Sequence, residues 1–195
     1  MIDVVQGKSM IKDVVERYDK LEREHPNFIS DRKLTEQDIA TKFILPMLEA
    51  LNWNKLAIED YGPEVHEKGF RERDIQGTSQ EKAKKGGLPD FSLVGPYSRK
   101  PFFVEVKHPN IKLDKVKHLA KYRDGDIVFL TSFRESEFVR IGRNGEKEPY
   151  DKFIARSPHL YLSRFDNLWQ YLSNSKKGEG YRRAVKAWRP GKRRT

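Results

Sequence analysis

Between positions 8 and 24 the apolar residues Met10, Ile11, Val14, Val15, Tyr18 and Leu21 recur every three or four residues, which predicts an amphipathic helix. His25-Pro26-Asn27 ends it, because the residue before a proline is pushed out of helical geometry. A second helix is predicted from Thr35, a good N-cap, with Asp38 completing a capping-box-like pattern. Ile39, Phe43, Ile44, Met47, Leu48 and Leu51 form its apolar face. Pro46 lies inside this pattern and predicts a kink, and Asn52-Trp53-Asn54 closes it.

Periodicity then changes. The segment 56–75 is mixed, with room for short strands, and the polar, Lys-rich stretch 77–87 reads as an exposed loop. Two strands follow at 90–94 and 102–106, joined by a turn over 95–101. Leu113, Val116, Leu119 and Ala120 fall on one side of a predicted helix over 113–122. The run Ile127-Val128-Phe129-Leu130 suits a buried strand within 126–131, with 138–141 as its neighbour, closed by an Asn144-Gly145 turn. A last amphipathic helix is predicted over 165–172. Strand, helix and strand in succession point to an α/β or α+β layer, with helices packed on a central mixed sheet.

Composition bounds what such a layer does. The 195 residues suffice for one domain with short appendages, and 11 Phe, 8 Tyr and 3 Trp argue against wholesale disorder. With 39 Lys and Arg against 29 Asp and Glu, the net charge of +10 favours a polyanionic partner, nucleic acid before an acidic membrane surface. There are no cysteines, which excludes disulfides and thiolate zinc sites. No run of about 18 apolar residues predicts a membrane span. The start, MIDVVQGKSM, lacks a signal-peptide core, so a cytoplasmic location is expected.

The candidate chemistry lies on the two central strands. Side chains alternate along a strand, so Glu105 and Lys107 project from one face together with Phe103, while Val104 and Val106 face the other way. Asp90 opens the preceding strand, with fourteen residues between it and Glu105, where an antiparallel pairing sets it beside Glu105. Two carboxylates and an ammonium group then converge. Hard divalent cations take oxygen ligands, and such a cation activates water for phosphodiester hydrolysis. A nearby lysine positions or helps deprotonate that water and stabilises the transition state.

Pro89-Asp90 followed by Glu105-Val106-Lys107 resembles the PD-(D/E)xK nuclease superfamily, with every motif position intact. The stretch from Thr35-Glu36 through Leu51-Asn52-Trp53 looks like the N-terminal helix of type I restriction-enzyme R subunits and related fused restriction–methylation enzymes. His118-Leu119-Ala120-Lys121-Tyr122 resembles the QxxxY motif of the same domains, with His118 in place of Gln and Tyr122 the better match. The similarity spans about 34–143. It implies a restriction-endonuclease-like α/β fold and a Mg²⁺-dependent DNA endonuclease in which Mn²⁺ can substitute. It implies metal ligation by Asp90, Glu105 and the Val106 carbonyl, with Glu36 as a third acid (Asp38 and Glu49 are weaker options) and Lys107 acting on the water.

Further candidates are ambiguous by residue type alone. Lys84 and Lys85, and likewise Arg71 and Arg73, read as phosphate contacts or as solvated loop charges. His108 reads as a support for the site or as a cap, and Tyr122 as a site residue or as packing. The expected layout is a nuclease domain over 1–175, with helices at 8–52 and a catalytic core at 56–143, then a basic tail or linker at 176–195. No G-x-x-x-x-G-K phosphate loop is present, so methyltransferase or translocase partners would lie on other domains or subunits. Double-strand cleavage would call for a dimer on DNA. Two rival readings stand beside the restriction-type nuclease: a non-catalytic DNA-binding module with the same fold, and a structure-specific repair or recombination nuclease.

Overall fold

A computed structural model describes residues 2–27, 34–53, 90–93, 102–117, 119, 121, 122 and 124–174. Helix α1 spans Val4–Glu24 and starts earlier than its apolar periodicity, because Asp3 and Gln6 form a reciprocal capping box. His25 ends it as expected. Its buried stripe of Ile11, Val14, Val15 and Tyr18 enters the larger core, where Tyr18 meets Phe43 and Phe133. Gly7 lies where a β-carbon would come within 2.6 Å of Trp169 and 2.8 Å of the Ala50 carbonyl, so only glycine allows this approach.

The second helical segment opens as α2 (Glu36–Ile39), passes through a π-helical turn over Ala40–Ile44, and continues as α3 (Leu45–Ala50). The Thr35–Asp38 capping box is present. The π turn precedes Pro46, whose ring would clash with the carbonyl four residues back in a regular helix. The exit is a Schellman arrangement. Trp53 N–H reaches the Leu48 carbonyl, Asn52 N–H reaches that of Glu49, and Asn52 adopts φ 67°.

Five strands follow: β1 (Phe91–Leu93), β2 (Phe102–Val106), β3 (Ile127–Thr131), β4 (Ser136–Ile141) and β5 (Lys147–Ala155). They lie in sequence order in one sheet. The β2–β3 pair is parallel and the other three are antiparallel. The chain ends, as far as it is described, in α4 (Leu160–Ser163) and α5 (Phe165–Leu172). This is a mixed α/β layer, as the pattern predicts. Among the described residues no helix is long and apolar enough to cross a membrane.

The sheet has two apolar faces. Leu93, Val104, Val106, Phe129 and Phe138 join the helices in the larger core. Phe103, Val128, Leu130, Val139 and Ile141 build a smaller core with Leu113, Leu119 and Tyr122. Glu105 and Lys107 share parity with Phe103 and so belong to this second face.

Two sequence expectations need correction. The predicted helix over 113–122 is not found among its described residues: a 3₁₀ turn at Leu113–Lys115 is followed by non-helical chain. Its backbone is claimed elsewhere, since Leu119 N–H bonds to the Gly145 carbonyl and the Lys117 carbonyl accepts from Lys147 N–H. Tertiary pairing thus overrides the apolar periodicity. Strand β5 is the second, because the pattern does not announce it. Its sequence is polar, contains Pro149, and shifts register against β4, so the two-residue alternation is lost.

Candidate active site

The register between β1 and β2 pairs Phe91 with Val104 and Leu93 with Phe102. One step outward it sets Asp90 opposite Glu105. Asp90 Oδ2 accepts the Val106 N–H at 2.6 Å, which ties the aspartate to the end of β2. Lys107 N–H bonds to the Thr131 carbonyl at 2.7 Å, so backbone groups at odd positions here face β3. By alternation the Val106 N–H and carbonyl face the Asp90 side.

Glu105 is 3 % exposed. Oε1 takes Lys107 Nζ at 2.6 Å, and Oε2 takes Lys121 Nζ at 2.6 Å and the Tyr122 hydroxyl at 2.7 Å. Burial alone would raise its pKa, yet the charge of Lys121 and the hydrogen bonds from Lys107, Lys121 and Tyr122 outweigh it and hold the carboxyl below its ordinary range. Tyr122 packs on Phe103, with ring centroids 5.1 Å apart. Burial beside Glu105 drives its phenol well above its ordinary pKa, so it stays a neutral donor.

Glu36 reaches the same corner from α2. Its Oε1 accepts the His108 N–H at 3.1 Å, which fastens the helix start to the chain leaving β2. Burial works against the charge on Lys107, but Glu105, Glu36 and Asp90 together raise its pKa. Lys107 is therefore firmly an ammonium group. It can orient water and stabilise negative charge, but as it stands it does not take a proton. Asp90 is exposed as a residue, while its carboxyl lies at the crowded strand ends. Desolvation there pushes its pKa up, the Val106 N–H opposes this, and the Glu105 charge adds to the rise.

The structure thus gathers Asp90, Glu105, Lys107, Glu36 and Tyr122 at one end of β2. It adds Lys121, which sequence reasoning passed over. The only signal for it was its place beside Tyr122 in the QxxxY-like stretch. His108 serves its own turn: its Nδ1 accepts the Asn110 N–H at 3.1 Å and its carbonyl accepts from Ile111. Its Nε2 is buried without a partner among the described residues. Asp38 is committed to the Thr35 cap and to Lys42 at 2.7 Å. His118, Lys84, Lys85, Arg71, Arg73 and the tail 176–195 lie outside the described residues, as does most of the segment 54–101.

The donor chemistry suits a hard cation: carboxylates from Asp90, Glu105 and Glu36, and the Val106 carbonyl on the Asp90 side. Asp90 Oδ1 takes no hydrogen bond among the described residues. Both Glu105 oxygens, by contrast, are held by cations. Among the described residues no group of three or more His, Asp or Glu side chains stands close enough to hold a metal ion as placed. Compared with protein-family models, curated proteins and solved structures, the chain matches none.

Proposed function

We propose that this chain is a divalent-metal-dependent DNA endonuclease with a restriction-endonuclease-like fold of the PD-(D/E)xK type. The observation that supports the reading most is the β1–β2 register. It puts Asp90 opposite Glu105, with Lys107 two residues further along the same face and bonded to Glu105. A solvated strand pair would not explain this grouping, because Glu105 is buried and the adjacent Val104 and Val106 are core residues. The net charge of +10 fits a phosphate-backbone partner.

In this reading Asp90 and Glu105, with the Val106 carbonyl, would hold Mg²⁺ or Mn²⁺, and Glu36 would join them as a third acid only if it moved from its place on the His108 N–H. The bound cation supplies Lewis acidity, lowering the pKa of a water and offsetting charge on the phosphate. Lys107 would orient the attacking water and stabilise the pentacoordinate phosphorus. Tyr122 fixes the Glu105 carboxylate, and the Val106 N–H fixes that of Asp90. Water attacks in line, so no covalent enzyme intermediate forms. Restriction rather than repair, a dimer on DNA and a cytoplasmic setting belong to the same proposal.

One observation favours a rival. Glu105 is fully engaged by two lysines and a tyrosine, as in a non-catalytic DNA-binding module that keeps a buried ion network. Cleavage of supercoiled plasmid and single-stranded DNA with Mg²⁺, Mn²⁺ or EDTA, beside Lys107→Ala, separates the two. The nuclease reading expects metal-dependent nicking that the variant lacks. Salt-sensitive DNA binding with no cleavage in any metal would establish the rival instead.

A further inference from the structure

We propose that Lys121 is a positioning residue that serves as the resident counter-ion of Glu105 while no divalent cation is bound, and that a cation binding beside Glu105 must displace its ammonium group. The inference rests on the metal-nuclease reading above and assigns a task to a residue outside the motif.

The two lysines on Glu105 are not equivalent. Lys107 follows Glu105 by two residues at the end of β2 and holds Oε1. It is anchored to the strand frame through its own N–H bond to Thr131. Lys121 comes from the irregular connection between β2 and β3 and holds Oε2, which it shares with the Tyr122 hydroxyl. Its side chain is only 15 % exposed. An ammonium group that little hydrated needs a carboxylate beside it.

The position of the Lys121 charge is the second point. The Lys121 Nζ lies 2.6 Å from Glu105 Oε2, and the β1–β2 register sets Asp90 opposite Glu105. The Lys121 ammonium therefore fills space beside Glu105 Oε2 that a divalent cation held by Glu105 would need. A monovalent cation on a long stem fills that space in the metal-free protein and keeps Glu105 ionised and oriented. A divalent cation takes its place with greater charge density. Tyr122, a neutral donor on the same oxygen, does not compete with a cation and can stay.

This role makes two readouts move in opposite directions. In Lys121→Met the metal-free protein should melt lower, by about 3–6 °C, because Glu105 keeps only one of its two cations. The same variant should bind Mn²⁺ by titration calorimetry on the order of tenfold more tightly, because no ammonium has to be displaced. Lys121→Arg, which keeps the charge, should retain the native, weaker Mn²⁺ affinity. A merely structural lysine would lower the melting temperature and leave Mn²⁺ affinity unchanged or weaker, and that result overturns the proposal. If the unaltered chain binds no Mn²⁺ while Lys121→Met does, the counter-ion role stands in its strongest form. If neither binds, the metal-nuclease reading falls and the proposal falls with it.

Discussion

Two buried glutamates stand in one row across the sheet and face the same side. Glu105 of β2 is paired with Leu130 of β3, and Leu130 with Glu137 of β4. Strand spacing puts them roughly 10 Å apart. Both are nearly sealed from solvent, and each carries two cations: Lys107 and Lys121 on Glu105, Lys147 and Arg156 on Glu137. The surroundings differ. Around Glu137, among the described residues, two carboxylates (with Glu135) meet two cations, and the charges balance. Lys147 is also tied to the Leu113 carbonyl at 2.7 Å, and Glu135 to the Leu113 N–H at 3.1 Å, so the cluster is stitched into backbone. Around Glu105, among the described residues, three carboxylates (with Asp90 and Glu36) meet two lysines, one negative charge in excess. A buried, paired glutamate is thus no sign of a site by itself. In the proposed nuclease reading, the extra carboxylate and the strand register that delivers it are what would invite a cation.

That contrast breaks first under substitution. Asp90→Asn should abolish metal-dependent cleavage, by about 10³-fold or more, with the fold intact, since it removes the carboxylate that makes the surplus. A plasmid-nicking time course with circular dichroism on the same sample checks both halves. Glu137→Gln should do the reverse. Leaving Lys147 and Arg156 without their shared carboxylate should cost about 2–4 kcal/mol in urea unfolding. Cleavage per folded molecule should stay within about twofold, because the site lies at the far end of the usual range of coupling.

Tyr122→Phe sharpens the comparison at one atom. Losing the hydroxyl on Glu105 Oε2 should lower cleavage by about tenfold and stability by ~1 kcal/mol. Equal cleavage by Tyr122→Phe and the native chain would reduce Tyr122 to packing on Phe103. Acid separates the glutamates as well. The pKa of Glu105 is depressed in the fold, so its contribution to stability is complete above the ordinary value of 4.5 and is lost as pH falls below it. Urea unfolding of Glu105→Gln should therefore show a flatter decline below pH 4.5 than the native chain. The smallest effect is expected at Thr35→Ala, at about 1 kcal/mol for the lost cap of α2. Glu36 follows that cap and bonds to His108, so cleavage should fall only a few-fold.

How far these features were legible in the sequence depends on which forces set them. The helices at α1, α2 and α5, the strands β1 to β4 and the Asn144-Gly145 turn follow local rules of period, cap and turn. Asn144 and Gly145 indeed adopt φ 66° and 76°. The meeting of Asp90 with Glu105 was legible too, because strand parity and a hairpin register suffice to derive it. The course of 113–122 was not, since its backbone bonds are made with Gly145 and Lys147, at the turn into β5 and about 26–30 positions later. Lys121 was hidden for the same reason. Read as a helix, that segment gives no cause to aim Lys121 at Glu105. Strand β5 escaped because a register shift and a proline remove the alternation that marks a strand.

The central claim is that the Glu105 corner is catalytic and the Glu137 cluster structural. The most direct test is cleavage of supercoiled plasmid in Mn²⁺ by the native chain, Asp90→Asn and Glu137→Gln, each confirmed folded. The account predicts nicking by the native chain and by Glu137→Gln, and none by Asp90→Asn. Equal nicking by Asp90→Asn and the native chain, or its loss in folded Glu137→Gln alone, would contradict it.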